Sequence, residues 1–266
     1  MTDLRATMRL QFHAGFTLDD AVEWVDYFDR LGISHIYASP LLTARPGSLH
    51  GYDVIDPTRV NPELGGEEAL RRLVHALRER GMGLILDLVP NHMAADCHNP
   101  WWQDVLLWGS TSLYASFFDI NWQCQDPYNR GRVLLPILAD DYLTTLKQGN
   151  LRLTFVPVTG CFYLCHHDHQ LPVALPSYAR ILADSGDDSL TRIADRCAAL
   201  EDQMDIAGIS HTIHGELIDL ARGPAAAALE RAVARYNNRT PESAVALHQL
   251  LEQQHYRLAH WRTAND

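Results

Sequence analysis

The stretch Gly81-Met-Gly-Leu-Ile-Leu-Asp-Leu-Val-Pro-Asn-His92 is the most informative in the chain, because an apolar run of strand length leads directly into polar side chains. The run from position 84 to 89 predicts a parallel strand covered on both faces, interrupted only by Asp87. A buried carboxylate is costly unless it is paired or hydrogen-bonded, so Asp87 needs a partner or a function. In a barrel of parallel strands, Asp87, Asn91 and His92 would meet at the catalytic edge. The alternative is a core strand containing one satisfied aspartate.

The chain before this strand has an alternating β/α pattern. A first strand is predicted at residues 8–13, followed by a helix that Thr17 caps and Gly32 ends. A second strand at residues 33–39 leads through a long loop into an amphipathic helix at residues 67–80. This order predicts right-handed crossovers and a parallel sheet, the opening of a (β/α) barrel or a doubly wound fold.

The β/α pattern disappears between Met93 and Ala183. Residues 151–157 alternate and residues 162–166 are β-prone, so with Thr159-Gly160 between them they predict a hairpin. Aromatic side chains concentrated in this region predict a small separate core: Trp101, Trp102, Trp108, Tyr114, Phe117, Phe118 and Trp122.

From Ser185 onward the chain has helical character. One helix is predicted around residues 190–197, another from Met204 to Leu220, and a third over residues 225–236. Pro241 suits the first turn of a last helix, predicted to continue through Trp261.

A group of cysteines and histidines raises a zinc hypothesis: Cys161, Cys165, His166, His167 and His169. The C-x3-C spacing inside a strand differs from the usual zinc spacings. Alternation would place Cys161, Cys165 and His167 on one face and His166 on the other, a poor arrangement for a tetrahedral site. Ordinary strand residues are the preferred interpretation, and we predict no metal.

Three segments carry a resemblance to a known family: Ser39-Pro-Leu-Leu-Thr-Ala-Arg-Pro-Gly-Ser-Leu-His-Gly-Tyr-Asp53, Asn61-Pro-Glu-Leu-Gly-Gly66 and Asp87-Leu-Val-Pro-Asn-His92. They resemble the N-terminal part of the maltooligosyltrehalose synthase family, in the α-amylase superfamily (glycoside hydrolase family 13). The likeness continues to His255-Tyr-Arg-Leu-Ala-His-Trp-Arg262 and so runs nearly end to end. The Asp-x-x-x-Asn-His pattern marks only the superfamily, whereas the Ala-Arg-Pro-Gly-Ser stretch is more particular to the synthases.

The resemblance implies roles for individual side chains. Tyr52 would lie against the sugar at the cleavage subsite, and an aromatic ring after Gly51 suits the apolar face of a pyranose. His92 would contact the same sugar, while Asp87 matches a strand-end aspartate that orients its neighbours. Asn91 matches a calcium ligand of many amylases but is equally an ordinary turn residue, so no cofactor is predicted. Further lining candidates, which are equally turn formers, are His50, Asp53 and Asp56.

The resemblance also implies an architecture. Residues 1–93 would form the first three β/α units of a TIM (β/α)8 barrel, and residues 94–266 a domain inserted after the third strand. That domain would be a loop and hairpin to about residue 183, then helical from about 185. Three strands cannot close a barrel, and the family's nucleophile and acid/base carboxylates lie on later strands. We therefore expect no catalytic residue in this chain, and a fragment or one half of a split enzyme.

Bulk properties are globular, with 47% hydrophobic and 21% charged residues. A net charge of −11 argues against nucleic acid or an anionic membrane as partner, whereas a neutral glucan needs no charge match. Five cysteines, with neither an apolar leader nor a spanning stretch, indicate the cytoplasm.

The expected function is therefore that of the synthase family, which isomerises the reducing-end α-1,4 linkage of a maltooligosaccharide to an α,α-1,1 linkage. The expected partners are that glucan and either the rest of the enzyme or a second copy of the chain. The alternatives are a noncatalytic glucan-binding module, a fragment of an α-amylase-family hydrolase and a poorly folded gene remnant.

Overall fold

A computed structural model describes residues 3–200 and 206–265 of the chain. Contacts divide the chain into two compact units, one up to Pro100 and one from Trp101 onward. The sequence places a boundary at residues 93/94, and the assignment of residues 94–266 as an inserted domain stays a prediction. No helix of the described residues has the length and apolar character needed to cross a membrane.

The first unit contains a parallel sheet with two helices. The strands β1, β2 and β5 pair in that order, and the register joins Arg9 to Tyr37 and Tyr37 to Ile85. The predicted parallel sheet and its two helices are confirmed. The elements are β1 (Thr7–Leu10), α1 (Leu18–Arg30), β2 (His35–Ala38), β3 (Leu42–Ala44), β4 (Val54–Val60), α2 (Gly66–Glu79) and β5 (Gly83–Leu86).

The helix α1 begins where its capping residues require. The Thr17 side chain accepts a hydrogen bond from the Asp20 N–H, and the Asp20 carboxylate accepts one from the Thr17 N–H at 2.7 Å. This reciprocal pair satisfies two N–H groups that a helix start leaves without intrahelical partners. Four side chains on one face of α1 are then buried in the core of the unit: Leu18, Ala21, Val25 and Phe28.

Among the described residues, helices cover one face of the sheet and leave β5 partly exposed, so the prediction of a strand covered on both faces was wrong. Ile36 and Ala38 are buried with the side chains of α1 and α2, whereas Tyr37 between them is half-buried. The strand β5 lies at the sheet edge and ends at Leu86, where Leu86 is 48% and Leu88 is 66% exposed. Two features explain this exposure. The helices pack on one face of the sheet, and no described strand pairs with the edge of β5 opposite β2.

The second unit combines two small sheets with helices. Its strands β7, β8 and β9 form an antiparallel sheet, and β6 pairs with β10 in parallel. The elements are α3 (Pro100–Trp108), β6 (Val133–Leu138), α4 (Tyr142–Lys147), β7 (Arg152–Val156), β8 (Cys161–His166), β9 (His169–Pro172), α5 (Tyr178–Leu182), α6 (Asp188–Ala198), α7 (Ile206–Ala221), α8 (Ala226–Asn237), α9 (Pro241–Leu251) and β10 (Tyr256–His260).

The predicted hairpin is confirmed by β7 and β8, with Gly160 in the connecting turn at φ +68°. The neighbouring strand β9 was not predicted. The helices predicted around residues 190–197 and 225–236 are confirmed by α6 and α8. Leu220 lies in the last turn of α7, whereas Met204, the predicted start of that helix, lies outside the described residues.

The prediction of one helix from Pro241 through Trp261 was wrong, because α9 ends at Leu251 and β10 comes after it. Tyr256 is fully buried, and its hydroxyl donates to the Pro172 carbonyl at 3.1 Å. Leu258 is also buried two residues later, and the β10 backbone pairs with β6. A buried face with a period of two residues stabilises a strand here in place of a helix.

The side chain of Gln254, between α9 and β10, is buried, and both its amide oxygen and its amide nitrogen are hydrogen-bonded. Its Oε1 accepts from the Ala174 N–H at 2.8 Å, and its Nε2 donates to Ser177 Oγ at 3.1 Å and to the Leu250 carbonyl. We expect Gln254→Leu to lower the free energy of unfolding by about 1–3 kcal/mol, because buried partners lose their hydrogen bonds. Urea denaturation measures this loss.

The matched control for Gln254 is Gln253→Leu, which makes the same chemical change at the neighbouring exposed position. The control should shift the free energy of unfolding by no more than about 0.5 kcal/mol. An equal loss in both variants would contradict the structural role of the Gln254 amide.

The aromatic residues of the second unit do not form the predicted separate core. Trp101 stacks on Tyr114 with ring centroids 5.1 Å apart, and Trp102 contacts Phe118 at 5.2 Å. Trp102, Tyr114, Phe118 and Trp122 pack against the main core of the unit. Their ring surfaces therefore extend that core.

The cysteines and histidines of the hairpin lie in an ordinary strand and turn. Cys161 and Cys165 are half-buried, while His166 is buried with its Nδ1 3.0 Å from the Asn150 carbonyl oxygen. His167 lies in the turn after β8 at φ +49° and so does not continue the alternation. Burial lowers the pKa of His166, which favours its neutral form.

Candidate functional site

Tyr52 is held by an ordered turn between the antiparallel strands β3 and β4, where the sequence predicted only a loop. The Ser48 hydroxyl donates to Asp53 Oδ1 at 2.5 Å and accepts from the Gly51 N–H at 3.1 Å. The Arg45 N–H closes the turn by donating to the Asp53 carbonyl at 3.0 Å. The backbone that carries Tyr52 is therefore fixed from both sides.

Gly51 is required in this turn for two reasons. Its φ is +78°, and a Cβ added there would lie 2.4 Å from the Pro40 carbonyl oxygen. We expect Gly51→Ala to cost about 1–2 kcal/mol for the left-handed backbone and about 1–3 kcal/mol more for the overlap. Thermal or urea unfolding measures the sum.

Gly47 of the same turn provides the control. Its φ is +74°, but a Cβ there would meet nothing within 4 Å, so Gly47→Ala carries the backbone cost alone. Equal destabilisation by the two substitutions would show that the Pro40 carbonyl yields without cost.

Four polar side chains meet at the carboxyl ends of β1, β2 and β5. Asp87 Oδ2 accepts hydrogen bonds from the Tyr52 hydroxyl at 2.5 Å and from the Tyr37 hydroxyl at 3.0 Å. Arg9 Nη2 donates to the Tyr52 hydroxyl at 3.1 Å, and the Arg9 guanidinium lies 5.6 Å from the centre of the Tyr37 ring. A cation, two phenols and a carboxylate thus form one hydrogen-bonded chain, which we call the strand-end cluster.

The electrostatics of the strand-end cluster arise from these contacts. The hydrogen bond to Asp87 raises the pKa of Tyr37, so its phenol remains protonated and donating. The hydrogen bond to Tyr52 raises the pKa of Arg9, which keeps its charge in any case. Hydrogen bonds to a carboxylate are stronger than neutral ones, so Asp87 fixes the orientation of both phenols.

Sequence reasoning missed Arg9 and Tyr37, although a signal was present. The inward residues Met8, Leu10, Ile36 and Ala38 alternate with polar or aromatic ones in β1 and β2. Parallel register then places Arg9 beside Tyr37, on the face that also carries Asp87. Combining alternation with register would have identified both residues.

The predicted sugar-binding histidines flank Tyr52. His92 Nε2 lies 3.1 Å from the Tyr52 carbonyl oxygen, and His92 Nδ1 lies 3.3 Å from Asn91 Oδ1. The Tyr52 N–H donates to His50 Nδ1 at 3.0 Å. Both histidine rings and Asn91 are exposed. The backbone of Tyr52 therefore positions two imidazoles at the rim of the strand-end cluster.

The two loop aspartates hold local structure. Asp53 is bound by Ser48, and its Oδ1 is 3.8 Å from His50 Nδ1. Asp56 accepts from the Thr58 N–H at 2.9 Å and from the Thr58 hydroxyl at 2.6 Å. The structure thus links His92, Asp87, Asn91, His50 and Asp53 to Tyr52 directly or through one neighbour. Asp56 serves its own turn.

One group of potential metal ligands occurs in the described part of the chain, formed by Asp96, Cys97 and His98. The Asp96 carboxylate already binds Arg45 at 3.0 Å and His98 Nδ1 at 2.6 Å. Burial opposes ionisation of Asp96, yet these partners lower its pKa. Burial raises the pKa of Cys97 and so disfavours the thiolate that binds metal. We assign no metal to this group.

Comparison with known proteins agrees with the fold. Residues 15–137 match the family described as Alpha amylase, catalytic domain. An intracellular maltogenic amylase of Bacillus subtilis (strain 168) is 38% identical over 107 residues, 40% of this chain and 18% of that protein. The parallel sheet and this match together define an α-amylase type of catalytic-domain fold.

Within that class, the chain resembles the N-terminal part of maltooligosyltrehalose synthases. A Mycobacterium tuberculosis (strain CDC 1551 / Oshkosh) protein that carries this enzyme name is 49% identical over 156 residues, 55% of this chain and 20% of that protein. The structure of maltooligosyltrehalose synthase from Arthrobacter ramosus matches 97% of this chain and 24% of its own, with 32% identity and a TM-score of 0.62. The chain spans about a fifth of the length of the curated relatives it matches.

Proposed function

We propose that this chain acts as the N-terminal part of a maltooligosyltrehalose synthase and supplies part of its sugar subsite. In this proposal β1, β2 and β5, with α1 and α2, are the first three β/α units of a (β/α)8 barrel. The second unit is then the domain inserted after the third strand. The whole enzyme isomerises the reducing-end α-1,4 linkage of a maltooligosaccharide to an α,α-1,1 linkage.

The observation that carries the proposal is the strand-end cluster. Asp87, Tyr37, Tyr52 and Arg9 converge at the carboxyl edge of three adjacent parallel strands, where a barrel enzyme holds its substrate. Tyr52 offers an aromatic ring, and His50 and His92 bring donors and acceptors to the same rim. An aromatic face flanked by such groups suits a neutral pyranose.

In the proposed reaction, the side chains of the strand-end cluster and His92 have different roles. Asp87 orients the phenols, Tyr52 contacts the ring, and His92 binds a hydroxyl once it releases Asn91 or the Tyr52 carbonyl. The retaining mechanism also needs two carboxylates roughly 5 Å apart, which the resemblance assigns to later strands. We therefore propose that turnover needs those later strands, and that the exposed Leu86 and Leu88 lie in the surface they cover.

A chimeric enzyme tests this function. The equivalent N-terminal quarter of the Arthrobacter ramosus synthase is replaced by this chain. Conversion of maltopentaose is then monitored by measuring the decrease in reducing ends. We expect isomerisation by the chimera and none by this chain alone. A folded chimera that binds maltopentaose without converting it favours the noncatalytic glucan-binding alternative.

The proposed location is the cytoplasm. No disulfide bond joins any two of the five cysteines, all of which lie in the described part of the chain, as a reducing compartment permits. Size-exclusion chromatography with light scattering tests whether the open sheet edge of the isolated chain associates with a second copy.

A further inference from the structure

The second unit contains an apolar cavity of about 470 Å³ that the proposed function does not use. It is lined by α4, by the end of α8 and by the first half of α9. Aliphatic side chains form most of its wall, including the buried Leu146, Leu151 and Leu247. Its volume lies within the range of ligand pockets, roughly 300–1,000 Å³.

Two large apolar side chains at the mouth of this cavity are exposed to solvent. Leu143 on α4 is 59% exposed and Val245 on α9 is 56% exposed, and both belong to the lining. Exposed aliphatic side chains beside an apolar cavity extend its surface outward. An apolar ligand would therefore remove both of them from water.

The charged residues of the same cavity are basic. Lys147, the single lysine among the 266 residues, lines it together with Arg239, and no Asp or Glu among the described residues does so. Neither Lys147 nor Arg239 has an ion-pair partner within residues 3–200 and 206–265. Two cations without a counter-charge are notable in a chain whose net charge is −11.

Arg239 is placed at the cavity by an unusual backbone. Its φ is +54°, a left-handed value that costs a non-glycine residue about 1–2 kcal/mol. Its side chain lies across Gly149, where an added Cβ would be 2.9 Å from the Arg239 Cγ and Nε atoms. Residues held in strained conformations cluster at binding sites, and this one belongs to the lining of an apolar cavity.

We propose that this cavity binds an amphipathic carboxylate, an unbranched alkyl chain with a terminal carboxylate group. The alkyl chain fills the aliphatic wall between α4 and α9, and the carboxylate lies between Lys147 and Arg239. The charge complementarity selects an anionic head, and the apolar wall selects an alkyl chain in place of a sugar, whose hydroxyls need hydrogen-bond partners along their whole length. The site is separate from the strand-end cluster and does not depend on the glucan proposal.

The single lysine makes the test direct. Reductive ¹³C-methylation labels Lys147 and the terminal amine, retains the charge, and gives resolved methyl signals that pH titration assigns. Octanoate is titrated into the labelled 266-residue chain, and octanamide, with the same number of carbon atoms, is the neutral comparison. We expect a saturable shift of the Lys147 signal with octanoate and about tenfold weaker binding of octanamide.

Substitutions at the mouth separate charge from folding. Val245→Asp adds a carboxylate at an exposed position and should weaken octanoate binding about tenfold, whereas Val245→Lys should strengthen it severalfold. Val158→Asp, at an exposed turn outside the cavity, is the matched control and should leave binding unchanged. Calorimetry on Arg239→Gln, with Arg231→Gln at an exposed position of α8 as its control, tests the guanidinium separately.

The proposal predicts salt dependence as well, because an exposed ion pair is screened at high ionic strength. Equal affinity for octanoate and octanamide would overturn it, as would the lack of a saturable Lys147 shift. A folded Val245→Asp variant with unchanged octanoate affinity would also overturn it.

Discussion

Asp87→Asn is expected to lower kcat/KM about a hundredfold in a chimeric synthase that carries this chain as its N-terminal part. The substitution preserves shape but removes the charge to which the Tyr52 and Tyr37 hydroxyls donate. A hydrogen bond to a charged group contributes about 1.5–3 kcal/mol, so weakening two of them accounts for a loss of this size. Steady-state kinetics with maltopentaose measures it.

The stability of the Asp87→Asn variant should fall as well, because its carboxylate orders the neighbouring side chains. Thermal unfolding of the 266-residue chain measures that effect apart from turnover. The control is Asp56→Asn, which disturbs only the local turn with Thr58. Equal loss of activity in both variants would place Asp87 outside the site.

The first unit was largely predictable because its signals are local. Thr17 and Asp20 lie at the spacing of a capping box, and Gly32 stands just after α1 at φ +83°. Alternation of strands and helices fixes a parallel sheet through the handedness of the crossover, without knowledge of distant contacts. The prediction of burial failed, since Leu86 and Leu88 are exposed at an edge that sequence hydrophobicity does not report.

Elements fixed by distant pairing were not predictable in the same way. The strand β10 comes after a helical run with no turn signal as strong as Gly or Pro, and its conformation depends on β6, more than a hundred residues earlier. The buried Gln254 side chain, just before β10, likewise depends on distant partners, because it bonds Ala174 and Ser177, which lie 80 and 77 residues earlier. Tertiary contacts of this kind override local helix propensity.

Only some residues of the candidate site could be identified from the sequence, for a related reason. Tyr52, Asp87 and His92 stand in or beside sequence segments with a recognisable pattern, whereas Arg9 and Tyr37 are single polar side chains within short strands. Their role becomes visible only when register places Arg9 beside Tyr37. A strand residue acquires its function from its neighbours in the sheet.

Tyr52→Ala should lower kcat/KM of the chimera about a hundredfold, and Tyr52→Phe about tenfold. Phenylalanine retains the ring that would cover the sugar but loses the hydroxyl that joins Arg9 to Asp87. Alanine loses both the ring and the hydroxyl. Its loss of binding free energy therefore also includes an aromatic contribution of about 0.5–1.5 kcal/mol and the burial of the apolar area of the ring.

His92→Ala should lower kcat/KM of the chimera about tenfold, which is the equivalent of one hydrogen bond.

The melting temperature of the chain shows whether such a loss of turnover comes from a lost contact with the sugar or from unfolding. Tyr52 lies in a turn already fixed by Ser48, Asp53 and Gly51, so Tyr52→Phe should change melting little. Tyr27→Phe on α1 is the control, since it removes a hydroxyl from a half-exposed tyrosine of the same unit, distant in sequence from the site. If Tyr52→Ala retains full turnover, or loses it only by unfolding, the tyrosine is structural. The Asp87 carboxylate would then serve the turn and sheet alone, and the sugar subsite would have to be sought elsewhere.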